Sequence, residues 1–117
     1  MQLQSKTAEE HDMNKRLFSR IPTGFRARLL YKGAQYEGNV VNVSKYGMHI
    51  LTGVKVPVST KAEVILCWQN REFRVPVEVR QQLEADNDKE GIGVEIIHMP
   101  DDYREFVDTL YFFYSIV

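Results

Sequence analysis

The sequence has a single cysteine, Cys67, so no disulfide can close within the chain. That fits a reducing compartment, and a cytoplasmic protein is expected. No apolar run approaches the roughly 20 residues that span a bilayer, so membrane insertion is not expected. The opening residues Met1-Gln2-Leu3-Gln4-Ser5-Lys6 contain no apolar core of a secretory signal, and none is expected. Neither sign of charge dominates. The 15 Lys and Arg face 16 Asp and Glu, which argues against a surface given over to DNA or RNA. His11, His49 and His98 lie far apart and, beside one cysteine, give no zinc spacing. A Gly-rich phosphate loop, a G-x-S-x-G elbow and a nucleophile paired with a base are missing too. An enzyme, a metal site and a cofactor are therefore not expected.

What is present is ordinary globular chemistry. With 44% hydrophobic and 26% charged residues in 117, the chain can bury one core and fold as one domain. Residues 1–14 are polar, with charges of both signs, and read as a flexible tail ahead of a domain over residues 15–117. From Phe25 an alternation begins: Phe25, Ala27, Leu29 and Tyr31 against Arg26, Arg28 and Lys32. Pro22 and Gly24 favour a loop leading into it. Lys32-Gly33-Ala34 supplies a turn to a second strand over 36–43, and a third runs over 46–52. The segment 54–60, with Pro57, reads as a loop or edge piece, and 62–69 pairs through a turn near Asn70 with the strand holding Phe73, Val75, Val77 and Val79.

Pro76 interrupts the polar side of that strand. Since proline cannot donate to a ladder, an edge position or a bulge is expected there. An acidic loop over 86–90 precedes a last strand over 91–98. After Pro100 the period changes. Asp101 and Asp102 suit a first helical turn, and Tyr103, Phe106, Val107, Leu110, Phe113 and Tyr114 recur at three and four. The expected fold is all-β with a terminal helix: a small antiparallel barrel or strongly curled sheet, capped by the helix. Tyr111 to Tyr114 make the helix end apolar almost all round, so the barrel or a partner chain should cover part of it, and an oligomer is compatible.

Local charge says more than the total. Between Met13 and Tyr36 stand Lys15, Arg16, Arg20, Arg26, Arg28 and Lys32, with no acid. Such a run seeks anions, although a solvated basic strand would look the same. Within it, Arg16-Leu17-Phe18-Ser19-Arg20 places two guanidiniums on one side at either helical or extended spacing. Paired planar forks suit phosphate oxygens or the O6/N7 edge of guanine. Surface arginines bridging to carboxylates would also explain them. Further on, Asn42-Val43-Ser44-Lys45-Tyr46-Gly47 puts an amide and a hydroxyl on one side of a strand, with Val43 facing the core. Gly47 lets the backbone turn or approach a ligand. A turn ending a strand would account for the same residues. His49 reads as a half-buried structural histidine. Cys67, between Leu66 and Trp68, reads as a small core residue, and Arg80 as a surface strand arginine.

Arg-x-x-x-Arg followed some twenty residues later by Asn-x-Ser-x-x-Gly resembles the signature of the PilZ domain family. The resemblance extends from Lys15 to about Tyr114 and takes in Gly91-Ile92-Gly93-Val94-Glu95 and the terminal helix. It implies a bacterial six-stranded antiparallel barrel acting as a receptor for the second messenger cyclic di-GMP. It assigns Arg16 and Arg20 to guanine and phosphate groups, Asn42 and Ser44 to a guanine base, and Gly47 to backbone shape. Lys15 adds charge beside the first arginine. The family more often carries an acid at the position of Asn42, where an amide both donates and accepts. The expected mechanism is ordering of the arginine segment on the ligand, read by a downstream protein partner. The alternative is a nucleotide-independent adaptor with the same barrel, since some family members lack the arginines. Single-stranded nucleic acid binding comes last, because the aromatics near the basic run fall partly on the core side.

Overall fold

The computed structural model describes residues 20–84 and 90–115. Six strands and one helix follow in order: β1 (Ile21–Tyr31), β2 (Ala34–Val43), β3 (Gly47–Thr52), β4 (Lys61–Trp68), β5 (Arg71–Glu84), β6 (Glu90–Ile96) and α1 (Asp101–Ser115). The strands form a closed antiparallel barrel in the order β1-β2-β3-β6-β5-β4, with β4 returning to β1 through pairs such as Ala27–Leu66 and Leu29–Val64. Closure leaves no free sheet edge. The expected tail over 1–14 and most of the acidic loop over 86–90 lie outside the described residues.

Period-two patterning builds the wall. Ala27, Leu29, Val40, Val43, Met48, Ile50, Val64, Leu66, Phe73, Val75, Val77, Val79, Ile92 and Val94 point inward and are buried. The first hairpin turns through Lys32 and Gly33, both with positive φ (53° and 75°), the backbone that a two-residue turn between twisted strands requires. Its flanking Tyr31 and Tyr36 pack in a tilted pair with ring centroids 6.4 Å apart.

Four details differ from the sequence-based expectation. Pro22 and Gly24 do not form a loop before the sheet. They lie within β1 at a register shift between Pro22 and Phe25, where the Thr23 hydroxyl donates to the Val40 carbonyl at 2.6 Å. Pro76 marks neither an edge nor a bulge, since it pairs with Glu63 of β4 and the β5 irregularity falls between Val79 and Gln81. The Pro76 carbonyl accepts from the Ile97 N–H at 2.9 Å, so its own nitrogen faces the same way, just where β6 has ended. The missing donor is therefore needed by nothing. Cys67 is half-buried on the outward side, opposite Arg26 and Glu72, because its neighbours Leu66 and Trp68 both turn inward. Last, β5 continues to Glu84, with Leu83 opposite Gly91.

The two barrel ends are closed differently. The β3–β4 connection crosses one end and drops Val56 fully into the core, its carbonyl held by the Gln82 side-chain amide at 2.9 Å. The helix closes the other. Pro100 accepts the first helical hydrogen bond from Arg104, and Asp101 and Asp102 sit in the positive first turn. Tyr103, Phe106 and Val107 form the buried stripe. Phe106 is its centre, with ring centroids 4.7 Å from Phe73, 5.2 Å from Trp68 and 5.5 Å from Phe25. Beyond Tyr111 the helix leaves the barrel, and Phe112, Phe113 and Tyr114 are exposed.

Candidate functional site

The barrel end under α1 also gathers the polar residues singled out in the sequence. Arg20 stands just before β1, Asn42 is the penultimate residue of β2, Ser44 follows β2, and Gly47 opens β3. Val43 is fully buried, so Asn42 projects from the outer wall on the opposite face. β1 and β2 are antiparallel neighbours with Ile21 opposite Val43 and Pro22 opposite Asn42, which carries Arg20 to the end of β2. The contact follows from that register. Arg20 donates Nε to Asn42 Oδ1 at 2.7 Å and Nη1 to Ser44 Oγ at 3.1 Å.

Ser44 is buried, and its backbone N–H donates to the Gly47 carbonyl at 2.9 Å, closing a tight turn. Its hydroxyl also points at that carbonyl, at 3.4 Å. Gly47 has ordinary negative φ, since Gly33 is the one glycine with positive φ among the described residues. Its requirement is spatial. A Cβ here would drive into the Val94 carbonyl oxygen of β6. Close approach of β3 to β6 is thus what requires glycine at this position.

Three neighbours complete the site. His49 faces Asn42 across the β2–β3 pair, with Asn42 Nδ2 and His49 Nδ1 at 3.1 Å. Burial, then the nearby Arg20 charge, hold its pKa below the usual histidine value. Tyr111 of α1 lies close to Arg20 and takes a hydrogen bond from the Lys45 backbone. Burial raises its pKa, and the Lys45 bond and Arg20 pull the other way. Burial lowers the Arg20 pKa and Tyr111 partly offsets this, but a guanidinium stays charged throughout the physiological range. Beside the turn, Lys45, Tyr46, Ile96, Met99, Arg104 and Val107 border a groove of about 530 Å³ against the helix.

The structure thus brings Arg20, Asn42, Ser44 and Gly47 together at one barrel end. Arg16 and Lys15 lie outside the described residues. Arg80 is a surface strand arginine, its Nε donating to Glu95 at 2.6 Å and its Nη1 lying 3.4 Å from Glu78. Sequence reasoning missed two participants. His49 was discoverable, because the 43–48 hairpin register puts it opposite Asn42. Tyr111 carried no such sign, as its place depends on how the helix docks.

The valences set what the site can do. Asn42 spends one acceptor site on Arg20 and one N–H on His49, which leaves one acceptor site and one N–H beyond these bonds. A donor and an acceptor side by side match a purine edge, and the adjacent guanidinium matches an anion.

No curated protein matches. Among solved structures, the chain is similar to the Bacillus subtilis inhibitor of motility MotI/DgrA, with TM-score 0.71 and 9% identity over 85% of this chain and 50% of that one. It is also similar to K. pneumonia MrkH in its apo state, with TM-score 0.60 and 15% identity over 78% of this chain and 47% of that one. The chain spans about half the length of each, and at these identities the likeness concerns the fold. Residues 14–113 match the PilZ domain, nearly the whole sequence. The chain belongs to the PilZ domain family, a family of receptor domains for cyclic di-GMP.

Proposed function

We propose that this protein is a bacterial, cytoplasmic cyclic di-GMP receptor that works without catalysis and passes the signal to a protein partner. Arg16 and Arg20 would engage the phosphates and a guanine, Asn42 and Ser44 a guanine edge, and Gly47 would keep the turn that presents Ser44. One observation carries the reading: a single guanidinium, Arg20, hydrogen-bonds both Asn42 and Ser44, residues more than twenty positions away. A doubly anionic dinucleotide would neutralise the two arginines and draw the segment bearing Arg16 over the outer wall beside Asn42. The turn 44–47 touches α1 through Lys45 and Tyr111, giving the ligand a mechanical path to the helix.

Isothermal titration with cyclic di-GMP tests this directly. Arg20→Ala removes a charge-assisted contact worth about 1.5–3 kcal/mol, so affinity should fall about 10- to 150-fold. Arg20→Ala combined with Ser44→Ala should abolish binding while far-UV circular dichroism stays unchanged. No heat and no thermal-shift response from the unmutated protein would leave the nucleotide-independent adaptor as the better reading. Unaltered binding by the double variant would remove this site from it.

A further inference from the structure

We infer that His49 is a positioning residue of this site: while neutral it locks the Asn42 amide in its working orientation, and its protonation releases that amide and weakens ligand binding. The inference rests on cyclic di-GMP being the ligand, and its test keeps the two separable.

Donor and acceptor roles fix the arrangement. A guanidinium can only donate, so the Asn42 atom 2.7 Å from Arg20 Nε must be the carbonyl oxygen. The amide nitrogen then faces His49, and because it can only donate, His49 Nδ1 at 3.1 Å must accept. The ring proton therefore sits on Nε2, and the imidazole is uncharged. Add a proton to Nδ1 and two N–H groups confront each other. Turning the amide over transfers the conflict to Arg20, which also has nothing but donors on that side. No rotation of the amide satisfies all three groups once His49 is charged.

The surroundings favour the neutral ring. From the β1 side the group facing it is Arg20, and from β2 it is Asn42. From β6 Gly93 lies directly opposite, and its missing side chain makes room for the imidazole, since a Cβ there would sit 3.3 Å from His49 Cδ2. Glu95, two pairs further along β6, is exposed and held by Arg80 at 2.6 Å. From β5 the neighbour is Gln81, uncharged and beside Gly93. From α1, Tyr111 faces Arg20. Burial and the arginine charge both act against a proton.

An anionic ligand works in the opposite sense, because its phosphates would attract a proton to His49. The two effects predict opposite slopes, and the hydrogen-bond conflict is the one proposed to win. Neither the phosphodiesters nor the guanines of cyclic di-GMP titrate between about pH 5 and about pH 8, so the dependence belongs to the protein.

The experiment is a titration with cyclic di-GMP from about pH 8 down to about pH 5, on the unmutated protein, His49→Gln and Asn42→Asp. Below the His49 pKa the dissociation constant should rise, approaching tenfold per pH unit. His49→Gln, whose amide oxygen accepts at any pH, should be flat. In Asn42→Asp a carboxylate accepts from Arg20 and from a protonated imidazole together, so acid should no longer weaken binding. A flat or tightening response of the unmutated protein overturns the proposal, as does an unaltered slope in either variant. Imidazole ¹⁵N spectra of the ligand-free protein supply an independent reading: Nε2–H with a bare Nδ1 supports the geometry, and Nδ1–H overturns it. Absence of binding at every pH would remove the receptor reading and the ligand half of this inference, with the tautomer still deciding the other half.

Discussion

Replacing Gly47 by alanine separates a steric requirement from a conformational one. The φ of Gly47 suits any residue, so alanine gains its usual advantage in the unfolded chain. The obstacle is the Val94 carbonyl, into which the new Cβ would project. A backbone oxygen inside a ladder cannot rotate away, so β3 and β6 must part by something on the order of 1 Å where Gly47 meets Glu95. Overpacking of this kind costs about 1–3 kcal/mol. The shift also strains the bond from Ser44 N to the Gly47 carbonyl, now 2.9 Å, worth about 1 kcal/mol more. A loss of roughly 2–4 kcal/mol is expected, read as a lowered urea midpoint at unchanged slope. Gly24→Ala is the matched control. Nothing lies within 4 Å of a Cβ there, so its unfolding free energy should stay within about 0.5 kcal/mol of the unmutated protein or rise slightly. Equal midpoints for the two variants would refute the steric account of Gly47.

Other expectations follow from the core and from His49. Phe106→Ala opens a hole between Phe73, Trp68 and Phe25 and should cost about 3–5 kcal/mol by chemical denaturation, with the helix detaching first in hydrogen exchange. Tyr103→Phe should leave stability unchanged or raise it by up to about 1–3 kcal/mol, because the Tyr103 hydroxyl is buried with no hydrogen-bond partner among the described residues. A loss above about 1 kcal/mol in that variant would show the hydroxyl to be satisfied. The depressed His49 pKa means that the unfolded chain takes up the proton first as pH falls. Its contribution to folding is therefore complete above the unfolded pKa of about 6.5 and is lost as pH drops through the lower folded value. The difference in urea midpoint between the unmutated protein and His49→Gln, followed against pH, measures it.

Short-range pattern was a reliable guide wherever one residue's surroundings lie within a hairpin. Phe25, Ala27, Leu29 and Tyr31 all turn to the core side, as their alternation requires, and the amphipathic stripe of Tyr103, Phe106 and Val107 is the buried face of α1. Pro76 shows where pattern fails. Its cost depends on which neighbour its nitrogen faces and where that neighbour stops, and both belong to β6, some twenty residues on. Pro22 and Gly24 failed for the same reason, because a Thr23–Val40 contact across the sheet turns an apparent loop into an irregular stretch of β1. Cys67 was misplaced by composition, where parity with Leu66 gives the right face. In the site, Asn42 was legible as a strand residue, whereas Ser44 lies past the end of β2 in the turn to β3, and the link of both to Arg20 follows once Ile21 is known to pair with Val43. The partnership of Tyr111 with Arg20 depends on helix docking, which no local spacing encodes.

Closing the barrel divides labour between its two faces, and the division bears on how variants should be read. Inward positions such as Val43, Met48 and Val94 hold the wall, while Arg20, Asn42 and His49 occupy the outward side of the same strands or their approaches. An outward polar residue can be exchanged without leaving a cavity, so loss of binding in Arg20→Ala reports on the site itself. Gly47 belongs to both faces. It spaces β3 from β6 and supplies the carbonyl that closes the Ser44 turn, so a binding defect in Gly47→Ala would reach the ligand through the fold. The two kinds of defect can be told apart by temperature. Cooling, which restores folded Gly47→Ala, should recover part of its binding, whereas Arg20→Ala, folded throughout, should stay weak at every temperature.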